Sequence, residues 1–382
     1  MKNVTLFFAG DFCSTPSTTL LSVSEELKKL IQSSDLRVVN FEVPLKPEVT
    51  LPPQQYPRFW QNDDAPDFLR DLGFNLFSIA NNHAFDWGDE GFNKTKLALG
   101  DQSFGAGTYD EAYKVKVCEV NGIKIGFLAL SYAAYTGVFD DVLHHDGLGC
   151  AYINDLRVNH DIMEAKKTVD HLFVLPHDGI EYIDVPLPET IARYRDFIDY
   201  GADGVIATHP HCPQGWETYK GKPIFYSLGN FLFNSKEGYD YRATNRPHWY
   251  EGLCVVLTIN DGRISCEVLN TRNVDNVGLE IDHDVKRNQH NGYLIEVLEN
   301  QEKYYSVLMN ECRELVKTQE MPIIDKTIQS VSLKSYTKKA LLTCLKIIKK
   351  QNVSNEFPLR TLLRNDTRRN VLMRTMKDDD NN

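Results

Sequence analysis

The sequence predicts a layered α/β fold followed by a helical C-terminal extension, and three observations carry that prediction. Up to about residue 235, short apolar runs alternate with segments of helical periodicity, the rhythm of sheets covered by helices. Six of those runs deliver Asp, Glu, Asn or His at their ends, so polar groups gather on one edge, as they do beyond the carboxyl ends of strands in α/β folds. From about residue 299 the pattern turns helical and stays so with few turn signals.

The elements follow in order. Apolar runs predict strands at 4–9, 37–41, 76–80, 115–120, 124–130, 171–176, 204–208 and 223–227. Helical patterning predicts helices at 23–32, 65–72, 91–99, 154–168 and 188–200, the last with Arg193 and Arg195 on an exposed face. Asn121-Gly122 between two apolar runs reads as a tight hairpin turn, because both residues tolerate positive φ. A second hairpin spans 252–269 and turns at Asn260-Asp261-Gly262. Gly105-Ala106-Gly107 lacks the Gly-Lys-Ser/Thr end of a phosphate-binding loop and reads as a turn after a strand. These elements predict one domain over 1–298, with its motif core at 4–235, and a basic helical extension over 299–382 whose tail, 378–382, is disordered.

Composition narrows the function. The chain has 382 residues, 42 Lys and Arg against 53 Asp and Glu, and a net charge of −11, which argues against a nucleic-acid-coating protein. No apolar run approaches the roughly 20 residues that span a bilayer. The N-terminal run is cut by Gly10-Asp11, too soon for a signal-peptide core, so the expected location is cytoplasmic. The 8 Cys form no CxxC pair and are too dilute for a disulfide framework, so they read as reduced thiols.

The chemistry lies in the residues that end the runs. The first ends in Gly10-Asp11, the second in Asn40-Phe41-Glu42, and the third in Asn81-Asn82-His83 with Asp86 following. The run 171–176 leads to His177, with Glu181 after it; 204–208 leads to His209-Pro210-His211; 223–227 leads to Leu228-Gly229-Asn230. Carboxylate, imidazole and amide oxygen together suit a divalent metal, one ion or two, with Mn, Fe or Zn favoured over Ca or Mg. The histidines at 144, 145, 160, 171, 248, 283 and 290 carry no ordered pattern and read as surface or core.

The motifs GD (10–11), NFEVPL (40–45), ANNHAFDWGDEGF (80–92), GAG (105–107), HDGIEY (177–182) and HPHCPQGWETYKGKPIFYSLGNFLF (209–233) resemble, in collinear order, the bacterial capsule synthesis protein family. Its best-known members are the CapA-like poly-γ-glutamate capsule proteins, and its fold is similar to that of the calcineurin-like metallophosphoesterases. The resemblance implies a metallophosphatase-like layered αββα sandwich. It implies that Asp11, Glu42, Asn82, His177, His209 and His211 hold metal. It implies that His83 acts as general acid or phosphate clamp, with Asp86 beside it in direct chemistry or as its orienting partner. Cys13 stands where the phosphoesterase D-x-H motif has its His, and Cys13, Asn40, Glu181 and Asn230 are expected beside the ligands or at the substrate.

The implied function is that of a metal-dependent hydrolase-like protein of capsule or exopolysaccharide synthesis, in which a metal-activated hydroxide attacks a phosphoester or amide of an anionic substrate. The alternative is a non-catalytic metal- and polymer-binding accessory of a membrane-associated capsule synthase. The expected partners are an anionic polymer or a phosphorylated small molecule, with no nucleic acid. Residues 326–377 hold eight Lys and five Arg against Glu356 and Asp366, and 333–350 places Lys338, Lys339, Lys346, Lys349 and Lys350 opposite an apolar stripe. Such a helix either packs on the main domain or attaches to an anionic inner membrane surface or a membrane synthase there.

Overall fold

The structure is a computed structural model that describes residues 3–51, 58–133, 137–139, 146–234, 248–275 and 277–317. The expected amphipathic helix, the rest of 326–377, the tail and His144-His145 lie outside the described residues. Two compact units divide the chain: residues 1–51 with 58–304 form the first, and the described part of the second is 305–317.

The first unit is built on two mixed sheets. One runs Ser22–Val23, Gly278–Ile281, Arg263–Val274, Glu251–Asn260, Asn3–Ser14, Leu36–Phe41, Leu76–Ser78 and Ser103–Phe104, with Asn230–Asn234 also paired to Asn3–Ser14. The other runs Trp216–Tyr219, Lys222–Phe225, Gly204–Ile206, His171–His177, Ile123–Ser131 and Lys116–Val120. Both centres are parallel, so their carboxyl ends can deliver side chains to a common place.

Strand alternation sorts the apolar residues into layers. Phe8 of the first sheet meets Phe127 and Phe173 of the second at ring-centroid distances of 6.3 and 5.8 Å, which makes the interface between the sheets. Neighbouring Leu128, Leu130, Leu172 and Val174 face the other way, onto Val158 and Ile162 of helix Arg157–Lys166 and Tyr194 and Phe197 of helix Pro188–Asp199. On the first sheet Phe7 turns from the interface to Phe74, which follows helix Ala65–Leu72. Helices Glu25–Gln32 and Gly88–Leu99 bury Leu27, Ile31, Phe92 and Leu99 in the same core. The four layers are the αββα sandwich expected. Each fully buried Phe contributes about 1.5–3 kcal/mol relative to an exposed one, so the aromatic interface is a large share of what holds the sheets together.

The structure departs from the expected elements in three informative ways. The first strand does not stop at residue 9 but runs from Asn3 to Ser14, because beyond a register shift near Asp11 it pairs in parallel with Asn230–Asn234. Helical structure begins before residue 299, at Val285–Glu299, where the Asp284 carboxylate accepts the Lys286 N–H at 2.9 Å. Arg193 is not on an open face: it donates to the Ile153 carbonyl at 2.7 and 3.0 Å and to Asn159 at 2.6 Å, while Arg195 pairs with Glu217 at 2.6 Å. The Asn121-Gly122 turn has φ of 53° and 71°, as its hairpin role requires. No helix among the described residues is long and apolar enough to cross a membrane.

Candidate metal centre

Close backbone approach sets the position of Asp11. A Cβ added at Gly10 would lie 1.9 Å from the Gly229 carbonyl oxygen, so only glycine lets the first strand pass the turn before Asn230. The Asp11 N–H then donates to Gly229 at 3.0 Å, and the register shift there re-aims the strand's side chains. Strand Leu36–Phe41 delivers Asn40 and, one residue past its end, Glu42. Gln61 holds this turn by donating to the carbonyls of Glu42 (2.7 Å) and Val43 (3.2 Å).

Strained backbone concentrates here. Val43, Tyr182, His209 and His211 have φ of 68°, 67°, 107° and 56°, and a β-branched or aromatic residue in that region costs of order 1–3 kcal/mol. The His209 N–H donates to Asp11 Oδ2 at 3.1 Å, which fixes that loop to the first strand, and the Tyr182 N–H donates to the Pro210 carbonyl at 2.8 Å, which joins the two loops.

Two groups of ligand-competent atoms result, each with all its atoms within 4.8 Å: Asp11, Glu42 and His177, and Glu42, His209 and His211. Glu42 is common to both. His177 Nε2 and His211 Nε2 each lie 3.7 Å from Glu42 Oε1, while His177 Nδ1 and His211 Nδ1 lie 3.7 Å from the Asp11 oxygens. Asn82 Oδ1 is 2.8 Å from His177 Nε2. Amides orient the set: Asn40 donates to Asp11 Oδ1 at 2.7 Å and lies 3.1 Å from His177 Nδ1, and Asn230 Oδ1 is 2.8 Å from His211 Nδ1.

Burial governs the charges. It raises the pKa of Asp11, against the lowering effects of His211 and the Asn40 bond, and with the charge of Asp11 it lifts Glu42 well above the usual carboxylate range. It also holds His177 and His211 below the usual imidazole range, leaving both neutral as metal ligands must be. Neither Glu42 carboxylate oxygen accepts a hydrogen bond from the described residues, although the side chain is fully buried. A buried carboxylate in that position is expensive unless it is paired or binds a metal. The donor set of carboxylates and imidazoles therefore fits a divalent cation.

His83 stands beside the cluster with a different partner. Its Nδ1 is 2.9 Å from Asp86 Oδ2, and Asp86 also accepts from the Phe59 N–H at 2.9 Å. Burial works against the imidazolium, but the Asp86 carboxylate outweighs it, and the His83 pKa rises. Glu181 is near enough to raise both Glu42 and His83. Cys13 packs with Val43, Phe233 and Trp249 and belongs to neither ligand group; burial pushes its thiol well up, so it is protonated.

Several supporting groups carry no pattern in the sequence. Thr208 Oγ1 is 3.1 Å from His177 Nδ1, Phe59 packs edge-on to His83 at 5.0 Å, and Tyr132 lies 4.5 Å from the His209 ring. Trp249 and Tyr182 cover His211 at 5.0 and 6.1 Å. Thr208, next to His209, was the one with a local signal.

The family model described as bacterial capsule synthesis protein PGA_cap matches residues 5–235. The chain is 30% identical over 219 residues to the PGA biosynthesis protein CapA of Bacillus subtilis, covering 56% of this chain and 57% of that one. It is 30% identical over 174 residues to the capsule biosynthesis protein CapA of Bacillus anthracis, covering 44% and 42%. The chain thus spans about half the length of the curated relatives it matches. Among solved structures, a novel phosphatase of Mycoplasma pneumoniae aligns with a TM-score of 0.41 and 15% identity over 71% of this chain and 94% of that one.

Proposed function

From the premise that the chain belongs to the bacterial capsule synthesis protein family, we propose that it is a metal-dependent hydrolase of capsule-type polymer synthesis, acting on a phosphoester or amide of an anionic substrate. One observation carries this reading: Glu42, fully buried and without a hydrogen-bond donor among the described residues, is shared by two carboxylate–imidazole groups. Asp11, Glu42, His177, His209 and His211, with the Asn82 amide, would hold one ion or two. A divalent cation bound there would neutralise the paired carboxylates and polarise a phosphoryl or carbonyl oxygen.

The chain's own groups supply the rest. Asn40 and Asn230 hold His177 and His211 in place. Asp86 engages His83 Nδ1 and favours its protonated form, so a proton would pass from Nε2 to the leaving oxygen or nitrogen as water adds across the cleaved bond. The rings of Phe59, Tyr182 and Trp249 pack against His83 and His211. The Bacillus subtilis relative is named a PGA biosynthesis protein, which agrees with the poly-γ-glutamate-type polymer that the family resemblance implies.

A second reading, a metal- and polymer-binding accessory without turnover, is favoured by Cys13, which fills the D-x-H position as part of an apolar cluster. Assays on chelated, then Mn-, Fe- or Zn-reloaded protein separate the two. The expected result is cleavage of a nitrophenyl phosphate ester or a γ-glutamyl oligomer, lost together with metal content in Asp11→Asn and His209→Ala. Metal binding with no cleavage would select the accessory reading. Unchanged metal content in both folded variants would overturn the site.

A further inference from the structure

Outside the candidate centre, three residues without a sequence pattern converge. A carboxylate oxygen of Asp184 and one nitrogen each of His248 and His290 lie within 4.8 Å of one another. They come from the loop after strand His171–His177, the turn before strand Glu251–Asn260, and helix Val285–Glu299. We propose that Asp184, His248 and His290 form a second divalent-cation site, of the zinc class, separate from the Glu42 centre.

The surroundings prepare the imidazoles for this. His248 Nδ1 is 2.6 Å from Glu251 Oε2, and Arg287 donates to the same carboxylate. A proton on Nδ1 would face Glu251, and a cation would take Nε2, which lies 3.8 Å from Asp184 Oδ2. A carboxylate behind a metal-binding imidazole is the usual orienting arrangement. His290 stacks on His248 at 4.7 Å, and its buried Nε2 has no hydrogen-bond partner among the described residues. Two stacked imidazolium ions would repel, whereas one cation uses both lone pairs.

The charge balance also admits a cation, since Asp184 and Glu251 together exceed Arg287 by one negative charge. Two imidazoles select zinc, cobalt or nickel over calcium or magnesium. Zinc bonds of about 2.0–2.2 Å require the three atoms to close in from their present separations, a movement for three partly exposed side chains; with three protein ligands, the fourth position is left to water. The consequence reaches the first centre. Tyr182 and Trp249, whose rings cover His211, lie two residues from Asp184 and next to His248. A cation here would tie both segments to helix Val285–Glu299 and stiffen that wall.

The test uses untagged full-length protein, stripped by chelation and dialysed against zinc, with cobalt as the spectroscopic probe. His290→Ala and Asp184→Asn should each bind one zinc fewer per chain than wild type and lose the visible bands of tetrahedral cobalt contributed by this site. Asp184→Asn preserves side-chain volume and gives the same reading should His290→Ala fail to fold, as judged by circular dichroism. Zinc content equal to wild type in the folded variants overturns the proposal, whatever the state of the Glu42 centre.

Discussion

Asp86 touches His83 but belongs to neither ligand group, so it can separate proton handling from metal retention. Asp86→Asn is expected to keep the metal content and to lower kcat by roughly 10²–10⁴-fold, the scale of a general acid's contribution. A parallel loss of metal would make Asp86 a structural support of the site instead. Cys13 gives the complementary case. Cys13→Ser places a hydroxyl among Val43, Phe233 and Trp249, which should cost about 1–3 kcal/mol in denaturant unfolding while leaving metal content unchanged. Loss of metal in that variant would show the thiol to be a ligand. The convergence of Asp11, Glu42, Asn82, His177, His209 and His211 was legible because each polar residue ends an apolar run, and a parallel sheet brings such ends together. Trp249, Gln61 and the Asp184–His248–His290 group were not. Their partners lie far along the chain, and nothing local to an isolated His or Trp encodes a contact made across loops.

At the scale of elements, the centre depends on how tightly strands pass one another. Gly10→Ala would set a Cβ 1.9 Å from the Gly229 carbonyl, a clash with backbone that no side-chain rotation relieves. The expected outcome is a loss of more than about 3 kcal/mol, among the larger effects of a single substitution, read by denaturant unfolding. The strands that lead to His177 and His209 are locked by Asp203, which accepts from the Leu172 N–H at 3.0 Å and pairs with Lys166 at 2.5 Å and Lys222 at 3.0 Å. Burial acts to raise its pKa, but Lys166 and the Leu172 bond outweigh that, and it falls below the ordinary value of 3.8. A carboxylate depressed in the folded state stabilises fully above its unfolded pKa and loses that contribution as pH falls through the folded value. Asp203→Asn should therefore melt lower than wild type at pH 7, and the difference should shrink below about pH 4. A gap that stays constant into acid would mean the clamp is not ionic. Neither the bulge at Asp11 nor this clamp was readable beforehand. Apolar runs locate strands, while the carboxylates that lock them follow from tertiary register.

For the whole molecule, the charge of −11 averages unlike parts. Residues 326–377 carry a surplus of eleven positive charges and residues 378–380 three negative, which leaves −19 on residues 1–325. We propose that the basic segment attaches to an anionic surface: binding to anionic vesicles should be salt-sensitive and lost on its deletion, whereas absent or salt-independent binding would contradict this. The proposed function depends on cation occupancy of the buried centre. Anomalous X-ray scattering from crystals grown with manganese or zinc tests it most directly. The expected result is a peak bounded by Asp11, Glu42, His177, His209 and His211, with Glu42 as a ligand. A folded, fully loaded crystal with no peak there, and with Glu42 protonated and hydrogen-bonded instead, would contradict it.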